Sequence, residues 1–163
     1  GSGAATALTS AAYNTIMGRN AAYSLATGSG YNTYLGYSSG YWLSTGTENT
    51  GVGSHANQGT AGQNGNYNTA VGKSALLVAY GEYNIAIGRL AGDNITTGSG
   101  NVVIGKADVS SATGDDQLSI SDGEDGAVVW MTGDSSGNVI HAGTATAAGG
   151  QLTTTGKALV MGF

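Results

Sequence analysis

The sequence contains no cysteine and no proline, and only 9% of its 163 residues are charged. Without cysteine the chain can form no disulfide, zinc–thiolate site or iron–sulfur cluster, and it has no thiol nucleophile. Collagen is excluded because it needs proline and a glycine at every third position. A net charge of -5 argues against nucleic acid as a partner, and no apolar run reaches the 18 residues that a membrane span needs.

Glycine is abundant instead, at 30 positions, and six of these glycines close a short recurring motif. The motif is Asn-x-x-aliphatic-Gly, and its closing glycines are 16 to 19 residues apart. A motif at nearly constant spacing is typical of a repeat fold in which each unit stacks on the next. The six copies span residues 14–18, 32–36, 49–53, 68–72, 84–88 and 101–105.

The rest of each unit repeats as well. A small residue stands three positions after most closing glycines, and a residue such as Leu25, Leu43 or Ile95 stands seven positions after them. Thr60 takes that place in the third unit, which makes it the poorest match. Each unit is predicted to form a strand, a glycine turn, a second short strand and another turn, because glycine recurs too often for a helix. The sequence therefore predicts an all-β fold, a parallel β-solenoid.

Alternation along a strand directs the fourth motif residue, which is always aliphatic, toward a core, and the second residue shares its face. Glycine and asparagine at the corners are expected to take positive φ angles. The predicted repeat core consists of Met17, Leu35, Val52, Val71, Ile87 and Ile104. The predicted repeat turns are at Gly18, Gly36, Gly53, Gly72, Gly88 and Gly105.

Three regions are expected along the chain: a lead-in at 1–12, the solenoid at 13–105, and a β-rich C-terminal tip region at 106–163. The last region carries all of the net negative charge. It is predicted to be a small β-meander with strands near 117–121, 127–132 and 139–141, and a final short strand at 156–163. Trp130 is expected to be a core residue, and Phe163 to be the natural C-terminus.

The solenoid is expected to be stable only when several copies of the chain associate. Each coil offers only a few modest apolar side chains, whose burial is set against the conformational entropy of ordering about 17 residues. Association of several chains around a shared axis would bury more apolar surface. We therefore expect a homo-oligomer.

The run Tyr67-Asn68-Thr69-Ala70-Val71-Gly72 resembles the repeat of bacteriophage tail fibres, and it is also similar to head repeats of trimeric autotransporter adhesins. The resemblance covers residues 13–105. It implies an intertwined homotrimeric fibre that is extracellular, on a virion tail, and a role in host attachment. The implied partners are other copies of the chain, other tail proteins, and a bacterial surface glycan or outer-membrane protein. No signal peptide, coiled-coil stalk or membrane anchor is visible, which favours the phage interpretation over an adhesin.

Candidate binding residues are the exposed aromatic and polar side chains. Tyr37, Tyr41 and Trp42 cluster in the second unit, and exposed aromatic rings commonly contact sugars and protein partners. His141 is a further receptor-binding candidate. A second aromatic set precedes the motif asparagines and is predicted to form a ladder that either packs between chains or binds a partner: Tyr13, Tyr31, Tyr67 and Tyr83.

No enzyme or cofactor is predicted. No Gly-x-Ser-x-Gly nucleophile motif occurs, and the dense acids lie in predicted turns, where solvated carboxylates are expected. Asp122, Glu124 and Asp125 are weak calcium candidates, because hard oxygen ligands on turns suit that ion. Two further alternatives are a capsule depolymerase and an ice-binding solenoid. The latter is suggested by a column of threonines, Thr15, Thr33, Thr50 and Thr69, although alternation directs that column to the core.

Overall fold

The computed structural model describes residues 1–8, 10, 12–26 and 30–142. Their strands form one sheet in sequence order. The strands are β1 Thr15–Met17, β2 Thr33–Leu35, β3 Thr50–Val52, β4 Thr69–Val71, β5 Ile85–Ile87, β6 Val102–Ile104, β7 Leu118–Ser121, β8 Val129–Gly133 and β9 Val139–His141. None of the described residues is helical. The predicted all-β class and the parallel β-solenoid of about six turns are confirmed.

Equivalent motif residues lie directly above one another. Thr33 pairs with Thr50 and Leu35 with Val52, and the same register holds from β1 to β6. The parallel stacking continues one strand beyond Gly105, because β7 pairs parallel with β6. The chain then reverses, and β8 and β9 add as antiparallel strands. The final strand predicted at 156–163 lies outside the described residues.

Each coil contains one three-residue strand, and the second short strand predicted for each unit is absent from the described coils. After the closing glycine, the chain passes through alternate residues with left-handed φ angles, such as Ser74 at 58° and Leu76 at 48°. Strand residues need extended φ angles, so this segment cannot form a ladder. Stacking there uses single hydrogen bonds instead, for example from Leu76 N to Ala91 O at 3.1 Å.

The interior of the coils is filled by the third motif residue, so the prediction that the fourth residue fills it is wrong. The third position is fully buried at Tyr34, Ala70, Ala86 and Val103. The six residues predicted as core point outward: Met17, Val71, Ile87 and Ile104 are exposed, and Leu35 and Val52 are half-buried. The turns that follow the strands also contribute fully buried side chains to this interior: Leu25, Leu43, Leu76 and Ile95. These side chains limit the space that is left at the third motif position, which is glycine or alanine in three of the six coils.

Tyr34 is the largest of the fully buried side chains in this interior, and glycines make room for it. The ring of Tyr34 is fully buried. A Cβ atom on Gly40 would lie 2.6 Å from Tyr34 Cε1, and one on Gly51 would lie 3.0 Å from Tyr34 Cδ1. Burial raises the pKa of the Tyr34 hydroxyl far above its usual value. The large residue in the second coil therefore depends on the absence of side chains at two neighbouring positions.

The motif asparagines form a continuous buried column that links every coil to the next. In each coil the side-chain Oδ1 accepts a hydrogen bond from the backbone N–H of the following asparagine: Asn49 accepts from Asn68 at 2.9 Å, and Asn68 accepts from Asn84 at 2.9 Å. Gln117 ends the column by donating its backbone N–H to Asn101 at 2.9 Å. The column satisfies backbone groups that the short strands leave unpaired.

The same asparagines also close their own coils. Asn68 Nδ2 donates to Gly81 O at 2.8 Å, and Asn84 Nδ2 donates to Gly98 O at 2.9 Å. The accepting glycine stands three residues before the next motif residue. A Cβ atom on Gly98 would lie 2.9 Å from the Nδ2 atom of Asn101, so that glycine is required by close approach. Sequence reasoning missed this role, although a Gly-x-x-Asn spacing recurs along the chain.

The predicted backbone of the corners is right for glycine and wrong for asparagine. The closing glycines take positive φ, for example 132° at Gly53, where a Cβ atom would lie 2.6 Å from Gly72 O. The motif asparagines do not take positive φ; the residue before each of them does, as Tyr67 does at 58°. The asparagine is fixed by its buried hydrogen bonds, so the turn falls on its neighbour.

The C-terminal hairpin leaves its large apolar residues at the surface. Trp130 is 52% exposed, so the prediction that it is a core residue is wrong for the described residues. Val128, Val139 and Ile140 are exposed as well. Trp130 lies in β8, which pairs with β7 along one edge and with β9 along the other. The Trp130 side chain itself is not covered by other described residues.

Candidate functional site

The outward face of the parallel sheet is flat and largely apolar. It consists of the first and last residue of each strand: one column runs from Thr15 to Val102, and the other from Met17 to Ile104. Met17 is 66% exposed and Ile87 43% exposed. Six parallel strands at about 4.8 Å per strand, with about 20 Å between the residues that flank them, give a face of about 580 Å² from one flanking column to the other. Apolar patches of this size on soluble proteins commonly mark an interaction surface.

A rim of tyrosines borders this face where the strands begin. We call Tyr13, Tyr31, Glu48, Tyr67 and Tyr83 the tyrosine rim. Tyr13 stacks on Tyr31 with ring centroids 4.8 Å apart, and Tyr67 stacks on Tyr83 at 4.7 Å, which confirms the predicted ladder in two segments. Glu48 separates the segments.

The tyrosine rim is also acidic. The pKa of Tyr67 is raised, first by the charge of Glu48 and then by Tyr83 and by Glu82. Glu82 directly precedes Tyr83, and its Oε1 atom accepts a hydrogen bond from Asn66 Nδ2 at 2.7 Å. Two carboxylates therefore lie among the stacked rings of the third to fifth coils.

A second rim borders the face where the strands end, and it is basic. It consists of the residues that directly follow the closing glycines, which we call the basic rim: Arg19, Tyr37, Ser54, Lys73, Arg89 and Lys106. Backbone hydrogen bonds keep its members stacked, as in Ser38 N to Arg19 O at 3.0 Å and Leu90 N to Lys73 O at 2.9 Å. Arg19 Cζ lies 6.0 Å from the centroid of the Tyr37 ring.

The predicted receptor-binding residues do not form one site. Tyr37 belongs to the basic rim and contacts the His55 ring edge-on at 5.0 Å. Tyr41 contacts Trp42 edge-on at 4.5 Å and stacks on Tyr23 at 4.9 Å, on the turn that follows.

His141 lies elsewhere, in β9. Seven strand spacings separate β9 from the strand that precedes Tyr37, about 34 Å at about 4.8 Å per strand. The structure thus shows two aromatic clusters in the first three coils and a separate exposed histidine at the C-terminal hairpin. Their receptor-binding role stays a prediction.

The acidic turn of the calcium candidates is organised by its own backbone. Asp122 Oδ1 accepts N–H groups from Glu124, Asp125 and Gly126, and Oδ2 accepts the N–H of Val128 at 2.7 Å. These hydrogen bonds lower the pKa of Asp122 to about 2. In the described part of the chain, no group of three His, Cys, Asp or Glu residues is arranged to hold a metal ion.

A second carboxyl pair lies on the outer turns. The pKa of Asp93 is raised to about 6, chiefly by burial and then by a hydrogen bond with Asp108 and by the charge of Asp108, while Lys106 opposes the shift. Neighbouring backbone is tied to the same pair, since the backbone N–H of Asn94 donates to Asp108 Oδ1 at 3.4 Å. The described residues enclose no cavity that could hold a small substrate beside this pair.

Comparison with protein-family models, with curated proteins and with solved structures gave no match. The described residues also include no helix that could cross a membrane.

Proposed function

We propose that this chain is a structural and adhesive segment of a phage tail fibre, in which three copies associate through the outward sheet face. The proposal rests chiefly on that face, since aliphatic residues of the fourth motif position, such as Val71 and Ile104, are exposed there while other residues fill the coil interior. Burying exposed side chains such as Met17, Ile85 and Ile87 between copies would stabilise the assembly by the hydrophobic effect.

In such a fibre, attachment to a host depends on the shape of the rod and on the repetition of its surface clusters. Stacked coils give a stiff rod, and symmetry presents each surface cluster several times, so weak contacts with a bacterial surface add by avidity. The aromatic clusters around Tyr37 and around Tyr41 and Trp42 are the proposed contact residues. A catalytic step is not part of the proposal.

The assembly is tested by measuring the native mass of the wild type and of a variant in which two residues of the face are replaced by aspartate. We expect sedimentation equilibrium to give three times the chain mass for the wild type. Val71→Asp with Ile87→Asp should lower the mass and keep the β-type circular dichroism, because both side chains point away from the coil interior. Thr60→Asp is the matched control, since Thr60 is exposed on a turn away from the face. A wild-type monomer would contradict the proposal.

The adhesive part is tested separately. Fluorescently labelled chain is incubated with panels of bacterial cells and with a glycan array, and the Tyr41→Ala Trp42→Ala variant serves as the comparison. We expect binding that this variant weakens. Antibodies against the chain should label tails in electron micrographs of the source particle; labelling of cell surfaces instead would favour an adhesin head.

One observation favours a second candidate, an ice-binding solenoid. The threonine column faces outward, so the sequence argument that directed it to the core is wrong. Thr15 is exposed and Thr33, Thr50 and Thr69 are half-buried in a flat parallel array. The column becomes Ile85 and Val102 in the last two repeats, which weakens the case. Thermal hysteresis of the purified chain would support this candidate, and its absence would remove it.

A further inference from the structure

Most charges that border the outward face are segregated to the two ends of the strands, whereas Asp93 lies on an outer turn near Asp108 and Lys106. The acids Glu48 and Glu82 lie at the tyrosine rim, and the cations Arg19, Lys73, Arg89 and Lys106 lie at the basic rim. Six residue steps separate the rims, about 20 Å at about 3.3 Å per residue, so these charges cannot pair within one chain. Neither Lys73 nor Arg89 is paired with a carboxylate of the described residues.

This segregation costs free energy in a single chain. Lys73 and Arg89 occupy consecutive coils whose strands are about 4.8 Å apart, and like charges in neighbouring coils repel one another. The acids of the tyrosine rim likewise raise the pKa of Tyr67. A partner that brings opposite charge to each rim would reduce the repulsion among the cations of one rim and among the acids of the other.

The apolar face alone is also small for a stable interface. Its area of about 580 Å² is below the roughly 800 Å² that each partner contributes to a standard protein interface. The rims lie along its two borders, so a partner that also covers the rim side chains buries more area than the face alone. The surface that a partner must cover is thus an apolar centre flanked by one acidic and one basic edge.

We propose that the partner is a second copy in parallel orientation, whose basic rim packs against the tyrosine rim of its neighbour at the same coil height. Rotation about an axis along the solenoid brings opposite rims together and keeps each coil level with its equivalent. Antiparallel packing of the same faces would place basic rim against basic rim. This inference rests on the association of copies in the proposed function and adds which edges meet.

The level of each coil then fixes the contacts. Arg89 follows β5 and Glu82 precedes it, so both lie in the fifth coil and would meet between copies. Lys73 of the fourth coil would meet the ring of Tyr67, which lies between Glu48 and Glu82. A cation that lies near these two carboxylates is favourable by charge.

The absence of native cysteine makes disulfide trapping a direct test. The variant Glu82→Cys Arg89→Cys should form covalently linked oligomers under mild oxidation. Arg19→Cys Glu82→Cys is the control, since its two positions lie four coils apart and should stay unlinked. Disulfide dimers from Arg89→Cys alone would show basic rim against basic rim and overturn the proposal.

Charge reversal gives a second readout that does not depend on cysteine. Lys73→Glu with Arg89→Glu should weaken association on the order of tenfold, as should Glu48→Lys with Glu82→Lys. Combining all four reversals should restore association, because the pairs are re-formed with exchanged signs.

The two proposals fail differently. A wild-type monomer would refute the association of copies, and with it both proposals. A wild-type oligomer in which the fifth-coil cysteines do not link, or in which the fourfold reversal does not restore association, would refute the rim pairing and leave the fibre intact.

Discussion

The buried asparagine column makes a strong prediction about stability, which substitution of Asn68 tests. Asn68→Ala removes the hydrogen bonds to Gly81 O and from Asn84 N, and it leaves both backbone groups buried. Each buried group left without a partner costs about 1–3 kcal/mol, so we expect the free energy of unfolding to fall by about 2–6 kcal/mol.

Asn57 provides a matched control within the same solenoid. It is also an asparagine and is also fully buried, but neither atom of its side-chain amide has a hydrogen-bond partner. Asn57→Ala therefore relieves an unsatisfied amide, and the equivalent position of the first coil already holds Ala22 at a similar φ of 49°. We expect a change within about 1 kcal/mol, in either direction.

The two variants are compared by urea unfolding at one fixed protein concentration, followed by far-ultraviolet circular dichroism. A fixed concentration is needed because association shifts apparent stability. Equal destabilisation by both substitutions would refute the reasoning, because the loss would then reflect the removed volume and not the hydrogen bonds.

The remaining predictions concern the turns, the filled interior and the acidic loop. Gly53→Ala should cost about 2–6 kcal/mol in urea unfolding, because a Cβ atom there meets Gly72 O at a positive φ, whereas Gly123→Ala meets nothing and should be neutral. Tyr34→Ala should cost about 3–5 kcal/mol through the cavity that it leaves, and Tyr34→Phe less than about 1 kcal/mol, since its hydroxyl bond is long at 3.4 Å. The lowered pKa of Asp122 contributes stability above the unfolded value near pH 4, and this is lost as pH falls toward about 2. The fluorescence of Trp130 should show a transition between these two pH values, and Asp122→Asn should abolish that transition. The same transition in the variant would refute the role of the Asp122 carboxylate.

The fold was predictable because the repeat is explicit. A glycine that must take positive φ and an aliphatic residue before it recur in every coil, and each predicted motif strand appears in the structure. The Gly-x-x-Asn spacing also marks the closing hydrogen bond of each coil, so this hydrogen bond could have been predicted from the sequence.

The direction of the strand faces was not predictable from hydrophobicity alone. Alternation gives two faces, and the aliphatic column from Met17 to Ile104 is the more apolar one. The interior is shared with buried turn residues such as Leu43 and Ile95, and it accepts Tyr34 only beside glycines. The third-position column contains Ile16 and Val103 as well as Gly51, Ala70 and Ala86, so neither a size nor a polarity comparison of the two columns identifies the interior face.

The surface clusters were predictable only as residue types. Tyr37, Tyr41 and Trp42 are adjacent in sequence, yet the coil turns between them and gives Tyr37 different neighbours from Tyr41. The opposition of acidic and basic rims depends on the register of parallel strands, which no single motif contains.

The asparagine column also bears on how such a molecule can change in length. Each coil presents nearly the same hydrogen-bonding groups above and below, as Asn49, Asn68 and Asn84 illustrate. Excision or duplication of one whole unit between successive closing glycines would join surfaces that already match. Unequal recombination within the gene could therefore lengthen or shorten the rod in steps of one coil, except between the second and third coils, where Tyr34 needs Gly51 beside it.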